Sequence, residues 1–258
     1  MEVNRMITRR ALEELARKQK LALGNAEKDY LLDLILRSIS QNKDLIFKGG
    51  TCLYKFHQLP RFSEDLDFSA LRIIDINMFM QKIMTDLEQE GVYALGHTRK
   101  ELYNSVLITL RLKGPLLSEN PSSAASIGID INFKSEVVLP PEQKEYVSVY
   151  PAIGTISAVC MKAEEIFAEK IRALLTRLKA RDLFDLYFLI QKDIWASRQL
   201  IQTKMEYYQE VFSLPRIVER IDIFEPLWNK EISGLTKDTL SFEFVSTQIK
   251  KKMKEKYA

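Results

Sequence analysis

The chain has 258 residues, is 46% hydrophobic and 28% charged, and mixes both signs along its length, which excludes a disordered polymer and supports one large domain or two modest ones. Its net charge of +3 permits a nucleic-acid partner without demanding one. Two cysteines, Cys52 and Cys160, with no CxxC pattern, exclude a disulfide scaffold and a structural zinc site and fit a reducing compartment.

The opening MEVNRMITRRALEELARKQK has no apolar core of the signal-peptide kind, and no run approaches the ~20 apolar residues that cross a bilayer. The expectation is a cytoplasmic protein without a membrane partner. Residues 6–41 read as two amphipathic helices broken near Gly24-Asn25. LIFKGG (45–50) is a short strand entering a turn, and 51–58 is one or two helical turns. DLDFS (65–69) has strand character, and 75–90 is a helix closed by Gly91. YNSVLITLRL (103–112) is a strand by its β-branched content, and LLSENPSSAAS (116–126) is a loop. IGIDINF (127–133) alternates isoleucine and phenylalanine with Gly128, Asp130 and Asn132, a half-buried strand with one polar face.

Residues 145–159 give one or two more strands, 162–178 a long helix, and a second helix begins near Arg181. Three or four more helices follow, with KKKMKEKYA a solvated, frayed basic end. Glycine and proline concentrate before residue 155, so the chain divides into a mixed α/β domain, 1–158, and a helical bundle, 159–258.

Two constellations carry chemistry. Asp65 and Asp67 are alternate residues on a strand, so they share one face, roughly 6–7 Å apart, while Leu66 and Phe68 point to the other. Two such carboxylates repel unless a cation lies between them, and Mg²⁺ takes one or two carboxylates plus substrate phosphates. Asp130 offers a third acid from a second strand. Gly49 and Gly50 allow close backbone approach to a phosphate, a helix starting at Thr51 would aim N–H groups at an anion, and Arg61 and Ser63 add donors. Each piece alone reads equally as surface acidity or an ordinary turn; their order along the chain makes a metal-plus-phosphate site.

In the second constellation Lys170 and Arg177 are seven apart on one helical face, and Asp182 and Asp185 are three apart and share another. Lys170 is a point-charge partner for a triphosphate, or a member of an ordinary surface pairing. Arg172, Arg177, Lys179 and Arg181 form a basic face able to hold an RNA backbone.

GGTxLxK, RxSEDLDFS, IxIDIN, ExxAEKIRAL and RDLFDL, spread from Leu45 to Ile190, together resemble the AbiEii/AbiGii toxin family of nucleotidyltransferases, which includes the MenT toxins. The resemblance implies an α+β fold: a polymerase-β-like nucleotidyltransferase domain with a mixed sheet and flanking helices, followed by a C-terminal helical bundle. It implies a toxin of a toxin–antitoxin or abortive-infection system. Such a toxin moves NMP from an NTP, with Mg²⁺ or Mn²⁺, onto RNA such as the 3′ end of tRNA, and has a cognate antitoxin encoded nearby. Carried onto this chain, Gly49, Gly50 and Thr51 stand for the phosphate cradle and Asp65 and Asp67 for the metal pair. Asp130 stands in the third-acid strand, Lys170 for the phosphate lysine, and Asp182 for the following acid, with Asp185 its rival. Two other readings use the same residues: a kinase-like phosphotransferase, and a non-catalytic module that grips nucleotide or RNA.

Overall fold

The computed structural model describes residues 6–133, 137–206, 208–236 and 240–258. The chain forms two compact units. The first comprises Met1–Cys52, Glu64–Ser135 and Glu142–Cys160; the second comprises Leu53–Ser63, Glu136–Pro141 and Met161–Ala258. The main change therefore falls after Cys160, while two short upstream segments group with the helical part. Proximity along the chain could not have indicated that.

The first unit holds helices α1 (Arg9–Gln19), α2 (Leu23–Ile39) and α4 (Ile76–Gln89) and strands β1 (Leu45–Lys48), β2 (Asp65–Ala70), β3 (Tyr93–Glu101), β4 (Ser105–Lys113), β5 (Ala125–Asn132), β6 (Glu142–Val147) and β7 (Thr155–Cys160). The strands form one mixed sheet in the order β3-β4-β5-β2-β1-β7-β6. β2 runs parallel to β5 and antiparallel to β1, and β1 runs parallel to β7. Between β1 and β2 lies α3 (Gly49–His57), within which the boundary between the units falls.

The first helix break lies at residues 20–22, not at Gly24-Asn25. Lys20 takes a left-handed conformation and its N–H caps Ala16 and Arg17, whereas Gly24 sits inside the first turn of α2. β3 carries no alternating apolar pattern, because nearly all its residues are exposed at the edge of the sheet; periodicity could not reveal it.

One face of the sheet is a continuous apolar layer. Ile127, Ile129, Ile131, Leu66, Phe68, Ile108 and Leu110 are almost fully buried, and α2 and α4 pack on the sheet. Helix α2 also buries acids, each with donors. Asp33 accepts the hydroxyls of Ser148, at 2.6 Å, and Tyr146. The Tyr150 hydroxyl reaches Asp29 at 3.1 Å and the Ala26 carbonyl at 2.8 Å. Glu27 accepts the Leu116 N–H at 2.7 Å; burial pushes its carboxyl up, and that N–H offsets part of the effect.

The second unit contains α5 (Ala163–Thr176), α6 (Ala180–Gln191), α7 (Arg198–Glu206), α8 (Leu214–Ile221), α9 (Glu225–Ile232) and α10 (Phe242–Tyr257). Trp228 packs against Phe184 and Phe242 and donates its indole N–H to the Leu240 carbonyl at 2.9 Å. Buried Glu165 accepts the N–H groups of Val138 and Leu139, both at 2.8 Å, and pairs with Lys204 at 2.5 Å. The basic tail is not frayed. α10 continues to Tyr257, whose ring is buried and whose hydroxyl bonds the Ala196 carbonyl at 2.6 Å.

Candidate functional site

The residues singled out in the sequence fall into two clusters, one in each unit. In the first unit, β1, β2 and β5 place Lys48 opposite Asp67 and Asp67 opposite Asp130, and set Asp65 beside Gly128. Paired residues on neighbouring strands point to the same side, so all three aspartates share one face, the reverse of the buried isoleucine layer. Asp65 is exposed; Asp67 and Asp130 are half-buried.

Two glycines make room for the pair. Gly49 has φ +76°, and a Cβ there would lie 3.0 Å from Asp67 Cγ, with Oδ2 nearer still. A Cβ on Gly128 would come within 2.6 Å of Asp65 Oδ1. Each carboxylate thus rests over a bare Cα, and the positive φ at Gly49 is one that side chains rarely adopt. The turn leads directly into α3, which begins at Gly49 rather than Thr51. Thr51 is fully buried, and its hydroxyl donates to the Asp65 carbonyl at 2.5 Å, tying the turn to the start of β2.

A hard divalent cation suits this donor set: two adjacent carboxylates on an open face, with phosphate or water completing the shell. Among the described residues no group of three or more His, Cys, Asp or Glu is arranged to hold a metal ion.

In the second unit Lys170 and Asp182 meet on α5 and α6. Lys170 Nζ lies 2.7 Å from Asp182 Oδ1 and 2.6 Å from Asp185 Oδ2. Arg177 takes Asp182 through two nitrogens, at 2.7 and 2.9 Å. Arg61 takes Asp185 through two nitrogens, at 2.6 and 2.7 Å, and its third donates to the Phe62 carbonyl at 3.0 Å. The result is a row of alternating charge, Arg61, Asp185, Lys170, Asp182 and Arg177, in which the first four are buried and Arg177 closes the exposed end. Burial works against the charge on Lys170, but Asp182 and Asp185 outweigh it and hold its pKa above the ordinary lysine value. Burial also opposes the charge on Asp182, and Lys170 and Arg177 overcome it, holding the carboxyl far below the usual range.

Several placements differ from the expected geometry. Arg177 does not share a helical face with Lys170, because α5 ends at Thr176 and Arg177 is extended; it reaches the cluster through Asp182 instead. Arg61 is 3% exposed and its nitrogens serve Asp185 and Phe62, and Ser63 is also buried. The contact between Arg61 and Asp185 spans 124 positions and has no local signal in the sequence. Lys48, beside Asp67, was not singled out, although period two from the end of LIFK into its partner strand could have located it.

The model of the nucleotidyl transferase AbiEii toxin family, type IV toxin–antitoxin system, matches residues 32–248. The chain belongs to the AbiEii family. It is accordingly a nucleotidyltransferase toxin of a type IV system, and membership implies a cognate antitoxin. Two solved structures share the fold. One is MenT4, the nucleotidyltransferase toxin Rv2826c from Mycobacterium tuberculosis H37Rv, with TM-score 0.67, 22% identity, and 96% of this chain and 88% of that chain covered. The other is JHP933 from Helicobacter pylori, with TM-score 0.62, 18% identity, and 91% and 92% covered. A comparison with curated proteins gives no match. The AbiEii match spans both clusters, and no helix among the described residues is long and apolar enough to cross a membrane.

Proposed function

We propose that this AbiEii-family chain transfers NMP from an NTP to an RNA acceptor in a reaction that needs Mg²⁺, with the 3′ end of tRNA as the target. The observation that carries the reading is the pair Asp65 and Asp67, seated over Gly128 and Gly49 on the open face of the sheet. A Mg²⁺ ion held by the pair would supply charge neutralisation for the departing pyrophosphate. The chain's own residues position and screen. The Gly49-Gly50 turn keeps Asp67 in place and brings backbone close to a phosphate, while Thr51 anchors the turn to Asp65. In the second unit, Lys170 is held charged by Asp182 and Asp185.

The test supplies each of the four NTPs, labelled at the α- or the γ-phosphate, with total RNA and Mg²⁺ or Mn²⁺. Label from the α-phosphate on RNA, lost in Asp65→Ala/Asp67→Ala, is expected. Retention of γ-label alone would move the reading to phosphoryl transfer. No label from any nucleotide, or growth inhibition that persists in the double variant, would overturn a catalytic role.

A further inference from the structure

The face that carries the aspartates continues past them to the edge of the sheet, and its chemistry changes on the way. β5 contributes only Gly128 and Ser126 beyond Asp130, so a shallow trough runs beside Asp65. Asp65 leans into it, since its Oδ1 lies over Gly128. On the far side, Gly128 pairs with Thr109, and Ser126 with Arg111. One strand further, Thr109 pairs with Thr98, Lys113 with Tyr93 and Leu107 with Lys100. By register, Thr98, Thr109, Arg111, Lys113, Lys100 and Tyr93 point to the same side as Asp65 and Asp67.

This surface is open. Lys100, Arg111, Lys113 and Thr98 are exposed, and Tyr93 is 44% exposed. Among the described residues neither Lys100 nor Lys113 makes an ion pair. The nearest acid of the edge strand, Glu101, is in register with buried Val106 on the other face and pairs there with Arg99, whose guanidinium also reaches Asn77 of α4. From Asp65 to β3 is three strand spacings, roughly 14 Å. A ribbon of positive charge with one exposed aromatic ring thus runs beside an acidic pair; beside Asp65 the β5 residues on this face are small, Gly128 and Ser126, while Leu107 stands between Asp130 and Lys100.

We propose that this β3–β4 face is the landing surface for the RNA acceptor. The phosphates of a single strand would lie against Lys100, Arg111 and Lys113, one base would stack on Tyr93, and the strand's end would enter the trough toward Asp65. The chemistry is that of backbone-tracking recognition: cations for phosphates, an aromatic face for a base, and little hydrogen-bond readout. The inference rests on the RNA-transfer reading for its biological meaning, but it concerns binding and is measured separately.

The experiment follows binding of fluorescein-labelled bulk tRNA by anisotropy over a range of salt concentrations, with the full chain. Lys100→Glu/Lys113→Glu is expected to weaken binding at least tenfold. It should also flatten the slope of log K against log salt by about 1.4, the loss of two phosphate contacts on a single strand. Tyr93→Ala should weaken binding about tenfold, with Tyr93→Trp retaining it. Lys251→Glu/Lys254→Glu, on exposed positions of α10, should leave affinity within about twofold. Circular dichroism checks that each variant is folded. Unchanged affinity and slope in the β3–β4 variant, an equal loss in the α10 variant, or absence of tRNA binding by the unaltered chain would overturn the proposal. If the unaltered chain binds tRNA through Lys100 and Lys113 yet transfers no α-label, the proposed reaction fails and the surface stands.

Discussion

Gly49→Ala isolates what the glycine turn does. Gly49 and Gly154 have nearly the same backbone, φ +76° and +75°, but different surroundings. A Cβ at Gly154 meets nothing within 4 Å, whereas at Gly49 it meets the Asp67 carboxylate, with Cγ at 3.0 Å and Cβ at 3.1 Å. Both alanines incur the left-handed backbone cost of roughly 1–2 kcal/mol. Only Gly49→Ala must also push Asp67 off its rotamer, a further ~1 kcal/mol. Urea denaturation should therefore show a loss of about 1–2 kcal/mol for Gly154→Ala and about 2–3 kcal/mol for Gly49→Ala. In an Asp67→Ala background the extra loss should vanish, because the colliding carboxylate is gone, and the coupling measured by that cycle is the collision itself. Label transfer should survive Gly154→Ala and fall about 100-fold in Gly49→Ala, since a carboxylate displaced by about 1 Å no longer holds its charge where the reaction needs it. Equal losses for the two glycine variants, or the same loss at Gly49 with and without Asp67, would refute the reasoning.

Replacing Lys170 by Met should cost about 3 kcal/mol in urea titration, because Asp182 and Asp185 stay buried around a missing cation while keeping Arg177 and Arg61. Asp182 has a folded pKa below its unfolded value near 3.9, so its stabilisation is complete above about pH 5 and lost as pH falls toward the folded value. Asp182→Asn should flatten that acid limb of stability against pH. Glu27 is displaced the opposite way: its folded pKa is raised, so its contribution is complete below about pH 4 and lost as pH rises. Glu27→Gln keeps an oxygen for the Leu116 N–H and should raise Tm at pH 7 with no gain at pH 4.

Local pattern made much of this protein legible. Alternation in DLDFS and IGIDINF located β2 and β5, and it put Asp65 and Asp67 on the side away from Leu66 and Phe68. Such features follow from strand geometry, which depends only on near neighbours in sequence. β3 escaped because an exposed edge strand has no buried face to impose a period. Arg177 lies off the Lys170 face because seven-residue spacing presumes an unbroken helix, and α5 stops one residue before it.

By itself, then, the sequence determined which residue types are available for chemistry, on which strand faces they stand, and which family the chain resembles. Tertiary structure decided their company. It seated Asp67 over Gly49 and Asp65 over Gly128, joined Arg61 to Asp185, and aligned β3 and β4 with the acid-bearing strands. The physical reason is range. Alternation and helical period are properties of a few consecutive residues, whereas an ion pair across 124 positions or a carboxylate resting on a distant Cα exists only once the chain has closed on itself.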